Sequence, residues 1–170
     1  PCPHAVKGTM KTIATALCLV LAACAASGSG NVVSNARDVA TFRRVAVSSA
    51  IKVTATPGAR SLTIRTDDNL QSLVETVVEA ETLVIRIARG SSFLGSTKIE
   101  AAVSNDVLEG IEASGASEVT FTATPSSEFK AAASGASRVV VAGISGTSLL
   151  ALASGASAIT LAGVATSKKI

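Results

Sequence analysis

From about residue 110 onward, apolar and polar positions alternate in short runs, and the runs recur at a fixed interval. Ala113-Ser114-Gly115-Ala116-Ser117, Ala133-Ser134-Gly135-Ala136-Ser137 and Ala153-Ser154-Gly155-Ala156-Ser157 repeat one pentapeptide every 20 residues. After each comes a β-branched or apolar run: Glu118-Val119-Thr120-Phe121, Arg138-Val139-Val140-Val141 and Ala158-Ile159-Thr160-Leu161. Such runs predict short strands. Set in register, they place Val119, Val139 and Ile159 in one column and Phe121, Val141 and Leu161 in a second, on the same side because side chains alternate with period two. These columns are the expected core stacks. A unit of 20 residues is too small to bury its own apolar face, so units must stack, which predicts a parallel β-solenoid with coils of about 20 residues.

In that arrangement Ser114, Gly115 and Ser117, with Ser134, Gly135, Ser137, Ser154, Gly155 and Ser157, form structural repeat corners, because small residues let the backbone turn tightly beneath the next coil. Serine hydroxyls facing a ligand are the alternative for the same ladder. Glu118 occupies the place of Arg138 one coil later, so an ion pair between coils is expected, worth about 0 to 1 kcal/mol if exposed. Upstream the repeat degenerates, but strand patterns continue in Val45-Ala46-Val47, Ile51-Lys52-Val53-Thr54, Leu62-Thr63-Ile64-Arg65 and Leu83-Val84-Ile85-Arg86-Ile87. Pro57-Gly58, Asp67-Asp68-Asn69 and Arg89-Gly90 mark the turns between them. Leu70, Leu73, Val74, Val77 and Val78 fall at helical spacing; the β-branched Thr76-Val77-Val78 favours strand and turn there, with a short helix as the alternative.

The amino-terminal pattern is different. Met10 and Lys11 open an apolar run over residues 12–23, the shape of a signal peptide and too short for a permanent membrane span, which needs about 20 apolar residues. Residues 1–9 precede it and read as a non-native upstream extension. Leu21-Ala22-Ala23-Cys24 resembles the lipobox of bacterial lipoproteins, which implies lipid attachment at Cys24 and an outer-membrane or periplasmic site if the source is Gram-negative; simple signal-peptidase cleavage is the alternative. Acyl chains would hold the protein at a membrane, since each buried methylene contributes about 0.8 kcal/mol. Residues 24–35 are small and polar, as expected of a lipidated flexible tether.

The whole chain of 170 residues carries a formal charge of +3, but removal of residues 1–23 takes away Lys7 and Lys11 and leaves 13 basic residues against 12 acidic. A phosphate-seeking surface is not supported by that balance, and with 2% aromatic residues there is little from which to build a base-stacking platform. No nucleic-acid partner is expected. Of the three cysteines, Cys2 and Cys18 lie in the removed segment, so no internal disulfide is expected.

The stretch from Gly30-Asn31-Val32 through Arg37-Asp38-Val39, Phe42, Val45-Ala46-Val47, Ile51-Lys52-Val53, Pro57-Gly58, Ser61-Leu62-Thr63-Ile64 and Asp68-Asn69-Leu70 resembles the opening of the head GIN domain, an auto-transporter adhesin family of bacterial envelopes, and the Ser-Gly-Ala-Ser repeats resemble its second half. The resemblance implies a right-handed parallel β-helix over residues 36–170 and no established reaction. Family members often run further, so a missing carboxy-terminal cap is expected.

Catalysis finds little support in these residues. The single histidine, His4, precedes the signal peptide, so the serines have no imidazole to activate them. Acidic residues do not recur on one face: Glu112 gives way to Ala132 and Leu152, and Glu118 to Arg138 and Ala158. Asp67-Asp68-Asn69 could hold calcium, but such a run more often marks a turn, and neither a metal nor a cofactor is expected. The expectation is a non-catalytic, lipid-anchored envelope module that presents a strand face to a glycan or protein surface; the alternative is a structural element that forms homo-oligomers by stacking end to end.

Overall fold

The computed structural model describes residues 25–94 and 98–170. Fourteen strands are present among them: β1 (Ala25–Ser27), β2 (Val32–Ala36), β3 (Arg44–Val47), β4 (Lys52–Pro57), β5 (Ser61–Asp67), β6 (Val74–Glu79), β7 (Thr82–Ile87), β8 (Ser92–Leu94), β9 (Glu100–Asn105), β10 (Gly110–Ala113), β11 (Glu118–Thr122), β12 (Ser126–Ala133), β13 (Arg138–Ala153) and β14 (Ala158–Lys169). One 3-10 helix, Asp68–Leu73, leads into β6, with Leu70 buried beneath it. The ambiguous stretch thus divides into a short turn of helix and a strand.

Twelve strands form one sheet, in the order β2-β5-β9-β4-β11-β13-β12-β10-β3-β7-β6, with β14 paired to β13. The order reverses within β13, which pairs with β11 through residues 138–142 and with β12 from residue 146. The sheet is therefore curled into two arms that face each other. Inward side chains of both arms, including Val53, Ile64, Val119 and Val139 from one and Val45, Leu83, Ile111 and Phe129 from the other, form a single buried cluster.

The right-handed parallel β-helix expected from the sequence is not what forms. β5 runs antiparallel to both β2 and β9, and β6 runs antiparallel to β7, so the sheet is of mixed orientation. Nor does the chain wind progressively: β3 and β4, early in sequence, are inserted between β7 and β10 on one arm and between β9 and β11 on the other. The 20-residue register is local to the later strands, where Val119 lies beside Val139 and Val139 beside Ile159. It does not govern the upstream half, where antiparallel pairings interrupt it. The β6–β7 hairpin closes with only Ala80 and Glu81 between the Glu79 and Thr82 partners, and both turn residues have positive φ, 46° and 61°. That is the primed-turn geometry whose twist matches the flanking strands.

Residues 24–35, expected to be a flexible tether, contain β1, which pairs with β8, and most of β2, which pairs with β5. The carboxylate of Asp68 braces this segment by accepting hydrogen bonds from Ser29 Oγ at 2.5 Å and Asn31 Nδ2 at 2.9 Å. Those bonds hold the Asp68 carboxyl below its ordinary pKa. Just beyond β2, the Arg37 guanidinium donates to the Gln71 carbonyl at 2.6 Å and to Thr76 Oγ1 at 3.2 Å, tying the outermost strand of one arm to that of the other. Partial burial lowers its pKa.

Candidate functional site

On the outer side of the β6 arm lies a trough of about 540 Å³ that crosses β7, β3, β10, β12 and β13. The outward positions Ala46 and Ala132 are short and open it between longer neighbours. Val84, Ala46, Glu112, Ala132 and Leu152 follow one another in register along its floor. Beside them runs a hydroxyl row, Ser48, Ser114, Ser134 and Ser154, aligned because the amide of each donates to a carbonyl of the neighbouring strand at 2.9 to 3.1 Å. Neighbouring strands are about 4.8 Å apart, so the four gaps give a trough about 19 Å long.

The structure separates the corner serines into two sets. Ser117, Ser137 and Ser157 each donate a hydroxyl to the carbonyl of Ser114, Ser134 and Ser154 respectively, at 2.8 Å, which closes the turn. Ser114, Ser134 and Ser154 instead line the trough, and among the described residues the hydroxyls of Ser134 and Ser154 have no protein partner. Gly115, Gly135 and Gly155 stand between the two sets with φ of 74°, 71° and 72°. The packed columns beneath contain Val119, Val139, Phe121 and Val141 fully buried, with Ile159 and Leu161 half-buried against them at the β14 side.

The charged side chains that line the trough, Arg86 and Glu112, are each ion-paired. Arg86 Nε donates to Glu75 Oε2 at 2.8 Å, which raises the arginine pKa, and Lys130 Nζ lies 2.7 Å from Glu112 Oε1. Glu112 is shared with a second hollow of about 450 Å³ above Gly110, where Arg44, Glu109, Glu128 and Lys130 form the walls. A β-carbon on Gly110 would lie 3.1 Å from the Lys130 carbonyl oxygen, so glycine lets β10 and β12 approach there. Arg43 holds Glu109 through two contacts of 2.7 and 2.8 Å and pulls the Glu109 carboxyl below its ordinary pKa.

Other residues considered from the sequence fall elsewhere. Cys24 lies outside the described residues. Glu118 is opposite Arg138 in register, yet its carboxylate is 3.8 Å from Lys52, the partner on its other side. Asp68 is engaged by Ser29 and Asn31, and among the described residues no group of three or more His, Cys, Asp or Glu side chains is placed to hold a metal ion. No described helix is long and apolar enough to cross a membrane. Sequence reasoning missed Ala46, Val84 and Arg86, which complete the trough; the short outward residue inside Val45-Ala46-Val47 was its available signal. It also missed Asn105, buried with Nδ2 donating to the Phe42 and Val107 carbonyls at 2.6 and 2.9 Å.

A curled sheet of mixed strand orientation, with an open trough on one outer face, defines an all-β domain. The chain belongs to the family described as "Putative auto-transporter adhesin, head GIN domain", whose model matches residues 41–170. This adhesin-type family points to an extracellular or envelope location.

Solved structures of similar fold include a putative adhesin from Bacteroides fragilis, with a TM-score of 0.73 at 18% identity over 82% of this chain and 67% of that one. A putative adhesin from Parabacteroides merdae gives 0.68 at 17% identity over 80% of this chain and 58% of the other, and one from Parabacteroides distasonis gives 0.56 at 19% over 82% and 70%. The chain thus spans 58 to 70% of the length of these structures. Among curated proteins, none matches the sequence.

Proposed function

We propose that this chain is a non-catalytic surface-binding module of the cell envelope, lipid-anchored through Cys24, that lays an extended glycan or protein segment along the trough. The observation that carries this reading is the aligned row Ser48, Ser114, Ser134 and Ser154 beside the short floor residues Ala46 and Ala132. Hydroxyls at strand spacing offer donors and acceptors to a repeating polymer, and the alanine methyls let it approach the backbone. Its charged lining residues, Arg86 and Glu112, are each paired with an opposite charge, which favours a neutral ligand. Binding of the full chain to immobilised neutral polysaccharides and matrix proteins, compared with Ala132→Arg, tests this. Loss of binding in the variant supports the trough; binding of equal strength in both overturns it.

A second reading is a structural element that associates end to end. It rests on β14, which among the described residues pairs along one edge only, and on the stretch 158–166, which carries no charge. Such an edge can template another strand. Association abolished by Thr160→Pro, with the fold retained, is its expected mark.

A further inference from the structure

The arm opposite the trough carries an outward pattern that complements itself. In strand order β5, β9, β4, β11, β13, one column reads Arg65, Glu100, Lys52, Glu118, Arg138, so charges alternate at every strand. Arg65 pairs with Glu100 at 2.9 Å and Lys52 with Glu118 at 3.8 Å, while Arg138 has no carboxylate within ion-pair distance among the described residues. The neighbouring outward column has only small side chains, among them Thr54, Ala102 and Thr120, plus Val140, whose 38% exposure makes it the one large apolar side chain in that column to stand out. Above Ala102 is a hollow of about 270 Å³, bounded by Thr54 and Thr63.

We propose that two copies of this chain associate through this face, about a twofold axis lying along the strands between β4 and β11. That operation reverses strand order but keeps each column facing itself, as an isologous interface requires. It sets Lys52 against Glu118 of the second copy and Glu100 against Arg138 of the second copy, each twice. The same operation seats Val140 in the hollow over Ala102 of the other molecule, because β9 and β13 are equidistant from the axis. Knob, hollow and charge row thus agree on one register without further adjustment. Exposed ion pairs add little affinity, so the charges select the register and the facing columns of small residues permit the close approach. The troughs remain outward on opposite sides, making the dimer bivalent for the proposed ligand. The inference stands on the charge row and the hollow and does not depend on what the trough binds.

Sedimentation equilibrium of the full chain tests this, with circular dichroism confirming the fold of each variant. Wild type is expected to dimerise, and Arg138→Glu, which opposes two carboxylates at both symmetry-related contacts, to weaken the dimer roughly tenfold or more. Glu100→Lys is expected to do the same. Mixing the two variants restores opposite charges at both contacts, so heterodimer forms where neither homodimer does. Ala102→Leu, which fills the hollow, is expected to block association without altering any charge. A chain that stays monomeric at millimolar concentration overturns the proposal, as does association indifferent to Arg138→Glu and Ala102→Leu, which would place the contact at the β14 edge instead.

Discussion

Gly115 packs so closely on Ser49 that a β-carbon on the glycine would lie 3.1 Å from the Ser49 amide nitrogen. Ser49 marks the corner between β3 and β4 that corresponds to the glycine corners of the later units, and it adopts the same left-handed conformation, φ 74°, without being glycine. An L-residue there costs roughly 1 to 2 kcal/mol, partly offset by the greater freedom glycine has when unfolded. Ser49→Gly is therefore expected to raise stability by about 0.5 kcal/mol. Gly135→Ala should do the opposite: φ is 71°, and the new methyl would lie 2.5 Å from the Gly115 carbonyl oxygen, for a loss of about 2 kcal/mol or more. Urea denaturation of both variants measures the two signs.

The β6–β7 turn carries a similar mismatch. Ala80 and Glu81 both hold positive φ in a two-residue hairpin loop, a geometry that asparagine followed by glycine adopts with least strain. The Glu81 carbonyl accepts from the Arg43 and Arg44 amides, a contact that survives any side-chain change. Ala80→Asn with Glu81→Gly is expected to add about 1 kcal/mol, read as a rise in midpoint temperature of several degrees. An unchanged midpoint would mean that the flanking β-strands alone set this turn.

How much of this was legible beforehand depends on the distance over which each contact acts. The alternation around Val119, Val139 and Ile159 is local and periodic, so strand positions and their 20-residue register could be read directly. The insertion of β3 between β7 and β10 could not. It depends on Val45 finding Leu83 on one side and Ile111 on the other, a choice among apolar strands of nearly equal pattern. The antiparallel β5 was hidden for the same reason: Ile64 suits either strand direction, and direction is decided by the return at Pro57-Gly58 together with the pairing to β9. Of the trough, Ser114, Ser134 and Ser154 were visible as a motif, and Glu112, Ala132 and Leu152 as one column of the repeat. Ser48, Ala46 and Val84 were not, since they come from units outside the repeat.

The two serine sets should separate experimentally. Ser137 is 2% exposed and its hydroxyl closes the turn on Ser134 O, so Ser137→Ala is expected to cost about 1 kcal/mol. Ser134→Ala removes a hydroxyl without a protein partner and should leave stability within about 0.5 kcal/mol of wild type. The same variant is expected to weaken polysaccharide or matrix-protein binding, because it interrupts the hydroxyl row at its centre. Thermal melts and binding isotherms of the pair give a crossed pattern if stability and recognition reside in different serines; parallel losses would assign both sets to the corners.

Acid should weaken the fold partly through Glu109. Its carboxyl accepts two hydrogen bonds from Arg43, which lower its folded pKa, and the Glu109 amide also donates to the Arg43 carbonyl at 2.8 Å. A carboxyl whose pKa is depressed on folding contributes stability that is fully present above its unfolded pKa, about 4.3, and is lost as pH falls through the lower folded value. Because Arg43 is 44% exposed, solvent screens the pair and its share of the stability is small. Glu109→Gln removes the titrating group, so its stability should fall less steeply than that of wild type below pH 5, while near pH 7 it should be the less stable of the two. Asp68 titrates in the same direction through Ser29 and Asn31, and the slope left in Glu109→Gln should shrink again on Asp68→Asn. Parallel stability curves for wild type and Glu109→Gln between pH 3 and 7 would show that the Arg43 contact is no stronger in the folded chain than in the unfolded one.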